Sequence, residues 1–194
     1  MTTTILLARH GDTDWNAERR FQGHADPPLN ERGQRQAREL ADLIAGVPLA
    51  AVYSSDLRRA AETARIVGST RGLEPEARAE LREIDVGEWS GLTFAEIEER
   101  YPDGVRRHRE GGDGWEQGET HAAMQERIVA AVRAIAAEHR GEHILLVIHG
   151  GTMRALLAAA ERVDFGEFRR ARGGFENGSF ISIGVEDGVL TRLD

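Results

Sequence analysis

The sequence predicts a single-domain, three-layer α/β/α sandwich with a mostly parallel central sheet. Three observations carry that expectation. Short apolar runs alternate with longer stretches of helical periodicity, the pattern of strands joined by crossover helices. Two runs, at residues 5–8 and 144–148, are apolar throughout, as buried strands are. The 194 residues, 40% hydrophobic and 30% charged, suffice for one sizeable core, and no repeat, low-complexity tract or linker divides them. The whole chain, 1–194, is therefore expected to be one domain.

Residues 5–8 read as the first strand, and it ends abruptly in Arg9-His10-Gly11. Such a strand delivers a guanidinium and an imidazole to its carboxyl end, where open α/β sheets bind ligands. The glycine lets the backbone turn away or approach a ligand closely. Residues 21–28 read as a loop, broken by Gly23, Asp26, Pro27 and Pro28. Asn30 can cap a helix with the stripe Ala37, Leu40, Ala41, Leu43 and Ile44, which Gly46 ends. Residues 50–53 are a short second strand. Ser54, Ser55 and Asp56 then offer cap chemistry for a helix from Leu57 to about Ser69, with Arg58 and Arg59 in its first turn.

Residues 76–81 read as extended and lead into 82–89, a segment too mixed for a clean strand. Thr93 caps a short helix through Arg100. Residues 101–118 are glycine-rich with little apolar periodicity and read as a loop. The segment 92–118 is thus the candidate lid or substrate-specificity segment. Residues 119–139 form a strong amphipathic helix with Met124, Ile128, Ala131, Val132 and Ile135 on one face. Residues 143–148 are the clearest buried strand and end in His149-Gly150-Gly151, followed by a helix over 152–161. Two late strands, 180–185 and 189–193, flank Glu186-Asp187-Gly188.

Composition removes several function classes. A net charge of −8 argues against a nucleic-acid partner, which needs a basic footprint. A cationic pocket inside an acidic shell would suit a small anionic substrate instead. No apolar run approaches the roughly 20 residues needed to span a bilayer. The amino terminus shows no basic n-region or cleavage site, so cytoplasm is the expected compartment and no membrane partner is expected. There is no cysteine, which removes disulfides and a thiolate nucleophile. There is also no lysine: all 25 basic residues are arginine. That removes a Walker-type or Schiff-base lysine and leaves guanidinium forks to bind anions.

Two strand ends carry His-Gly. One alone is ordinary, but neighbouring parallel strands can place both imidazoles in one crevice. The second is followed by a helix start, whose free amides favour an anion. Glu83 is a carboxylate candidate for acid–base work. Taken singly, Glu83 reads as a surface glutamate and Arg59 as an exposed helical arginine.

The motifs together resemble the histidine phosphatase superfamily, the phosphoglycerate-mutase-like proteins. Arg9-His10-Gly11-x-Thr13-x-Trp15-Asn16 matches the family signature, and Phe21-Gln22-Gly23 its next block. Ser54-Ser55-Asp56-Leu57-x-Arg59 matches the second arginine motif. Leu81-Arg82-Glu83-Ile84-x-x-Gly87-Glu88-Trp89 matches the acid–base block. Gly118-Glu119-Thr120 and His149-Gly150-Gly151-x-x-Arg154 complete the set, in order along nearly the whole chain.

The resemblance implies roles. His10 is the expected phosphorylated nucleophile, and Arg9, Arg59 and His149 bind the phosphoryl oxygens. Glu83 gives a proton to the leaving group, and Asn16 assists at the phosphate. Gln22, Gly23 and Gly150 complete the expected binding set, and His24 is a further candidate to touch substrate. Two nearby arginines should keep the attacking imidazole neutral. No metal or cofactor is expected, because arginines and His149 supply the positive charge. The expected activity is a phosphomonoesterase acting on a small phosphorylated metabolite through phosphohistidine. A homodimer is a family-level expectation.

Four alternatives stand beside it. A cofactor-dependent phosphoglycerate mutase is the first, kept open by Arg106, Arg107 and Arg109, although the middle segment is short for one. Asp12-Thr13-Asp14 superficially suggests an aspartyl-phosphate enzyme, which ordinarily uses a lysine. A metal hydrolase would draw on the seven histidines, but they show no paired ligand spacing. A non-catalytic phosphate-ester-binding regulatory protein is the last. Of the three tryptophans, Trp115 is the one expected over substrate rather than in the core.

Overall fold

A computed structural model describes residues 1–171 and 173–193; Arg172 and Asp194, inside the expected domain, lie outside the described residues. The strands are β1 (Thr3–Arg9), β2 (Leu49–Ser55), β3 (Glu76–Arg78), β4 (His143–Ile148), β5 (Phe180–Glu186) and β6 (Val189–Arg192). The helices are α1 (Asp14–Ala17), α2 (Glu31–Leu43), α3 (Arg58–Ser69), α4 (Phe94–Arg100), α5 (Pro102–Arg109), α6 (His121–Glu138), α7 (Gly150–Glu161) and α8 (Phe165–Ala171).

The six strands form one sheet in the order β3-β2-β4-β1-β5-β6. The first four in that order run parallel, and β5 and β6 are antiparallel to their neighbours. The sheet is therefore mixed. The antiparallel pairing of β6 with β5 follows from the Asp187-Gly188 turn, where both residues adopt positive φ (48° and 78°). That is the twist a two-residue hairpin needs, so β5 and β6 pair directly without a crossover helix.

Alternation along β1 builds the three layers. Leu6 and Ala8 pack with Leu40 of α2, Ile44 just beyond it, and Ala60 and Val67 of α3. Ile5 and Leu7 pack on the other face with residues such as Ile128, Val132, Met153 and Leu156 of α6 and α7. Both faces of the central strands are thus covered, which is why their sequences are apolar without alternation.

Two local expectations change. Residues 102–109 are helix α5, where a loop is predicted. Pro102 sits in its first turn, where a fixed φ helps and the missing N–H costs nothing. Only Gly104 and Val105 are buried, so no periodic stripe betrays it. Helix α3 also lacks the expected local cap. Ser54 and Ser55 belong to β2, and Asp56 holds Arg82 through two bonds of 2.7 and 2.6 Å. The first-turn N–H of Arg58 instead donates to Asp26 Oδ1, 32 residues upstream, at 2.6 Å. No helix among the described residues is long and apolar enough to cross a membrane.

Candidate active site

Strand register builds the first wall. Arg9 pairs with Ile148 across β1 and β4, so the next residues, His10 and His149, leave the sheet side by side. The His10 N–H donates to Ile148 O at 3.0 Å, and the two rings meet edge-on with centroids 5.1 Å apart. Both histidines are buried, with 3% and 1% of their surface exposed.

The tautomer of His10 is fixed by its own neighbour. Nδ1 lies 2.7 Å from Gly11 O. A carbonyl only accepts, so Nδ1 carries the hydrogen and Nε2 keeps a free lone pair. Burial pushes the His10 pKa well below its ordinary value, and Arg59 and then Arg9 push it further. The ring is therefore neutral at physiological pH. The turn beneath it is held from three directions. Gly11 N–H donates to Thr63 Oγ1 at 3.0 Å, and Thr63 Oγ1 donates to Arg59 O at 2.8 Å. Asn177 Nδ2 donates to His10 O at 3.0 Å. Gly11 itself is required because a Cβ there would meet the Gly33 carbonyl oxygen at 2.3 Å.

Arg59 is 1% exposed, far from the exposed helical arginine its sequence context allows. Its guanidinium donates to Ala25 O at 2.7 Å and Gly23 O at 2.8 Å. Gly23 has φ 50°, and a side chain there would strike Val86. The loop thus presents carbonyls to Arg59 from a conformation suited to glycine. Burial lowers the Arg59 pKa to about 10, so the group remains charged. Arg9 donates through Nη1 to Phe175 O. The Nε atoms of Arg9 and Arg59 are buried without a hydrogen-bond partner, and so are both ring nitrogens of His149. Buried donors left open at one place mark a site awaiting acceptors. Arg58, by contrast, is exposed and paired with Glu62.

Glu83 completes the second wall. Its Oε2 accepts from Gly151 N–H, in the first turn of α7, at 2.8 Å, and its Oε1 accepts from Ile84 N–H at 2.9 Å. The segment carrying it is clamped by a residue of α6 that belongs to no motif. Arg127 Nη1 donates to Glu80 O at 2.7 Å and Arg82 O at 3.0 Å. Arg127 is itself held by Glu119 through bonds of 2.8 and 2.6 Å. This gives the Gly118-Glu119-Thr120 block a purpose: it fastens the acid–base segment to α6. His24 does not line the cleft; its Nε2 donates to Glu83 O at 2.8 Å and supports the same segment.

Arg9, His10, Asn16, Gln22, Gly23, Arg59, Glu83 and Gly150 all line one cleft of about 440 Å³. His149 stands against His10 rather than on the open wall. Asn16 Oδ1 accepts from Thr13 N–H and Oγ1 in a capping box, which leaves its amide N–H groups for a ligand. Asp12 and Asp14 are not on the cleft; Asp12 accepts from Asn30, and Asp14 is exposed in α1. The aspartyl-phosphate reading therefore has neither Asp12 nor Asp14 in position. Among the described residues, no group of three or more histidine, aspartate and glutamate side chains comes together to hold a metal.

The far end of the cleft is drawn from elements that carry no motif. His108 of α5, Trp115 and His121 of α6 line it with Arg169 of α8. Trp115 is 6% exposed and donates from Nε1 to Glu119 O at 2.9 Å, so it is a fixed wall. Arg106 and Arg109, which kept a mutase reading open, lie away from the cleft and pair with Asp103 and Glu98; Arg107 binds the Gly114 carbonyl.

A family model described as histidine phosphatase superfamily (branch 1) matches residues 5–192. Phosphoserine phosphatase 1 of Hydrogenobacter thermophilus is 33% identical over 194 residues, spanning 98% of this chain and 91% of that protein. Phosphoglycerate mutase-like protein 4 of Arabidopsis thaliana is 38% identical over 161 residues, spanning 80% of this chain and 70% of that one. Among solved structures, Bacillus stearothermophilus YhfR superposes with a TM-score of 0.91 at 35% identity, covering 98% of this chain and 95% of the other.

Proposed function

The chain belongs to the histidine phosphatase superfamily, and on that premise we propose that it is a phosphomonoesterase acting on small phosphorylated metabolites through a phosphohistidine at His10. One observation carries the reading. A neutral imidazole with a free Nε2, two buried guanidiniums with unpaired Nε atoms and one carboxylate face a single cleft.

The chemistry runs in two displacements. In the first, the Nε2 lone pair attacks phosphorus in line with the ester oxygen, the P–O bond breaks, and Glu83 gives its proton to the departing alkoxide. In the second, water attacks phosphorus and passes a proton to Glu83, and the P–N bond breaks to release phosphate. Arg9, Arg59 and Asn16 meet the charge on the transferred group, and His149 adds a nitrogen beside it. Donors fixed before the reaction cost no reorganisation when that charge spreads. The arginines supply the charge that a metal supplies in other phosphatases, so no metal or cofactor has a step here. The segment 92–118 contributes His108 and Trp115 to the leaving-group end and acts as a specificity wall.

A phosphatase is preferred to a mutase because Arg106 and Arg109 bind their own neighbours rather than the cleft. A rapid-quench experiment tests the central claim. Wild-type protein mixed with p-nitrophenyl phosphate should gain the mass of one phosphoryl group on His10, and His10→Ala should gain none and lose at least about four orders of magnitude in kcat. A label on another residue, or none during rapid turnover, overturns it. Mutase activity on 3-phosphoglycerate that depends on 2,3-bisphosphoglycerate would reverse the choice within the family.

A further inference from the structure

The nucleophile is followed by glycine, the residue that resists backbone rotation least. Yet the two peptide units flanking Gly11 are each gripped at both ends. In the first, His10 O accepts from Asn177 Nδ2 at 3.0 Å, and the Gly11 N–H donates to Thr63 Oγ1 at 3.0 Å. In the second, the Asp12 N–H donates to Gln36 Oε1 at 2.8 Å. Its carbonyl, Gly11 O, accepts from His10 Nδ1 at 2.7 Å and more loosely from Asn177 Nδ2 at 3.4 Å. Thr63 and Gln36 hold one unit each, and Asn177 reaches both.

The same amide lies 3.4 Å from Asn16 Oδ1. Its three neighbours are all acceptors, the Asn16 oxygen because the Thr13 N–H donates to it. The NH₂ end of Asn177 is therefore the end that faces them. Backbone pairing delivers it there. Residues 176–179 form a turn closed by the Ser179 N–H on Glu176 O at 3.2 Å, with Gly178 at φ 77° in its third position. Gly178 N–H donates to Arg9 O at 3.1 Å, and Arg9 N–H donates to Ser179 O at 2.9 Å. The turn is thus fastened to the strand that carries His10.

Resting on the phosphatase reading for its consequence, we infer that Asn177 is a positioning residue for the nucleophile. Its amide locks the carbonyls on either side of Gly11, so that His10 keeps its hydrogen on Nδ1 and presents the Nε2 lone pair to phosphorus. Gly11 O fixes the tautomer only while it stays beside Nδ1. Once that peptide unit turns away, the ring hydrogen is free to move to Nε2, and an imidazole protonated there has no lone pair to attack with. The contact with Asn16 Oδ1 adds a second effect, holding the Asn16 amide N–H groups toward the same phosphoryl group.

Two substitutions separate this role from space filling. Asn177→Asp keeps the shape but turns both donors into acceptors, against three acceptors; Asn177→Ala only removes the donors. Positioning through N–H groups makes Asn177→Asp the worse variant, and space filling makes Asn177→Ala the worse. In rapid-quench experiments with p-nitrophenyl phosphate, His10 phosphorylation should slow about tenfold in Asn177→Ala and about tenfold further in Asn177→Asp. An alkyl phosphate should lose the same factors, because the departing alcohol plays no part. Relative to wild type, Asn177→Asp should recover part of its loss between about pH 8 and about pH 5, where a protonated carboxyl regains one donor. Nitrogen-15 spectra of ring-labelled protein without substrate should place the His10 hydrogen on Nδ1 in wild type and partly on Nε2 in both variants.

Melting curves establish that the variants fold. Asn177→Ser, which keeps one donor on a shorter side chain, replaces Asn177→Asp if that does not, and should then be faster than Asn177→Ala. Asn177→Asp as active as Asn177→Ala, or an unchanged His10 spectrum in the folded variants, overturns the inference. The spectrum needs no turnover and so keeps the two readings apart. If it shifts while wild type forms no phosphohistidine, the phosphatase reading fails and the positioning of His10 stands. If phosphohistidine forms and the spectrum does not shift, only this inference fails.

Discussion

The two ends of the cleft are built on different principles. At the phosphoryl end, the side chains of His10, Arg59 and Glu83 are each bonded to backbone. His10 and His149 leave paired strands, Arg59 is forked onto two carbonyls, and Glu83 accepts from an α7 amide. At the leaving-group end, His108, Trp115, His121 and Arg169 come from four separate stretches and touch one another side chain to side chain, with Trp115 and Arg169 also bonded to the Glu119 and Gly111 carbonyls. Backbone fixes positions independently of the neighbouring side chains. The first end can therefore keep one chemistry while the second is rebuilt residue by residue for another alcohol.

Glu83 sits where the two ends meet, so replacing it gives the largest separation between them. Glu83→Gln keeps an acceptor for the Gly151 N–H but cannot act as an acid in the same way. With an alkyl phosphate, whose alkoxide needs the proton, kcat should fall about 10²- to 10⁴-fold. With p-nitrophenyl phosphate, a far better leaving group, the loss should be at least tenfold smaller. Equal losses on the two substrates would make Glu83 a support for the α7 start, not a proton donor.

A smaller effect separates the ends by pH. Burial and the arginines hold His10 and His149 far below the ordinary histidine pKa, while His108 is lowered to about 4, chiefly by burial. In the unfolded chain these groups take up protons near pH 6.5. Below that pH the unfolded state binds more protons than the folded one. Their contribution to stability is thus intact above about pH 6.5 and declines as pH falls below it. Urea unfolding of the free protein between pH 8 and 4.5 should show that decline. His149→Asn should flatten it, because one buried neutral imidazole is gone. An unchanged slope in a folded variant would mean that His149 takes up its proton at the same pH in the folded and unfolded chains.

The same division explains what the sequence made legible. Arg9, His10 and His149 are readable because an apolar run announces a buried strand, and whatever ends or follows it stands at the carboxyl end of the sheet. The three layers are readable from the same runs. Arg59 and Glu83 needed the family resemblance, since no periodicity distinguishes Arg59 from Arg58. Arg127, Asn177 and Arg169 were not readable. Each reaches a partner 44 or more residues away, to a carbonyl or ring, and leaves no local pattern. Helix α5 leaves no apolar stripe in the sequence because it buries only two residues. The neighbours Gln22 and Gly23 point His24 toward substrate, but the loop turns its ring onto the Glu83 carbonyl.

The smallest expected effect tests whether the phosphoryl end depends on its loop as well as its strands. Asp26 replaces the missing local cap of α3 through its bond to Arg58 N–H. It also ties the loop that offers Gly23 O and Ala25 O to the helix that carries Arg59. Asp26→Ala removes a first-turn acceptor, which costs about 1 kcal/mol at such positions. For a domain of this size that lowers Tm by about 2–4 °C. If the loop is held only by Arg59 reaching into it, the effect stops there and kcat/KM is unchanged. If Asp26 holds the carbonyls in register for Arg59, KM should rise a few-fold for every phosphate ester alike, whatever its alcohol. A loss that instead depended on the alcohol would join this loop to the leaving-group end and break the division between the two.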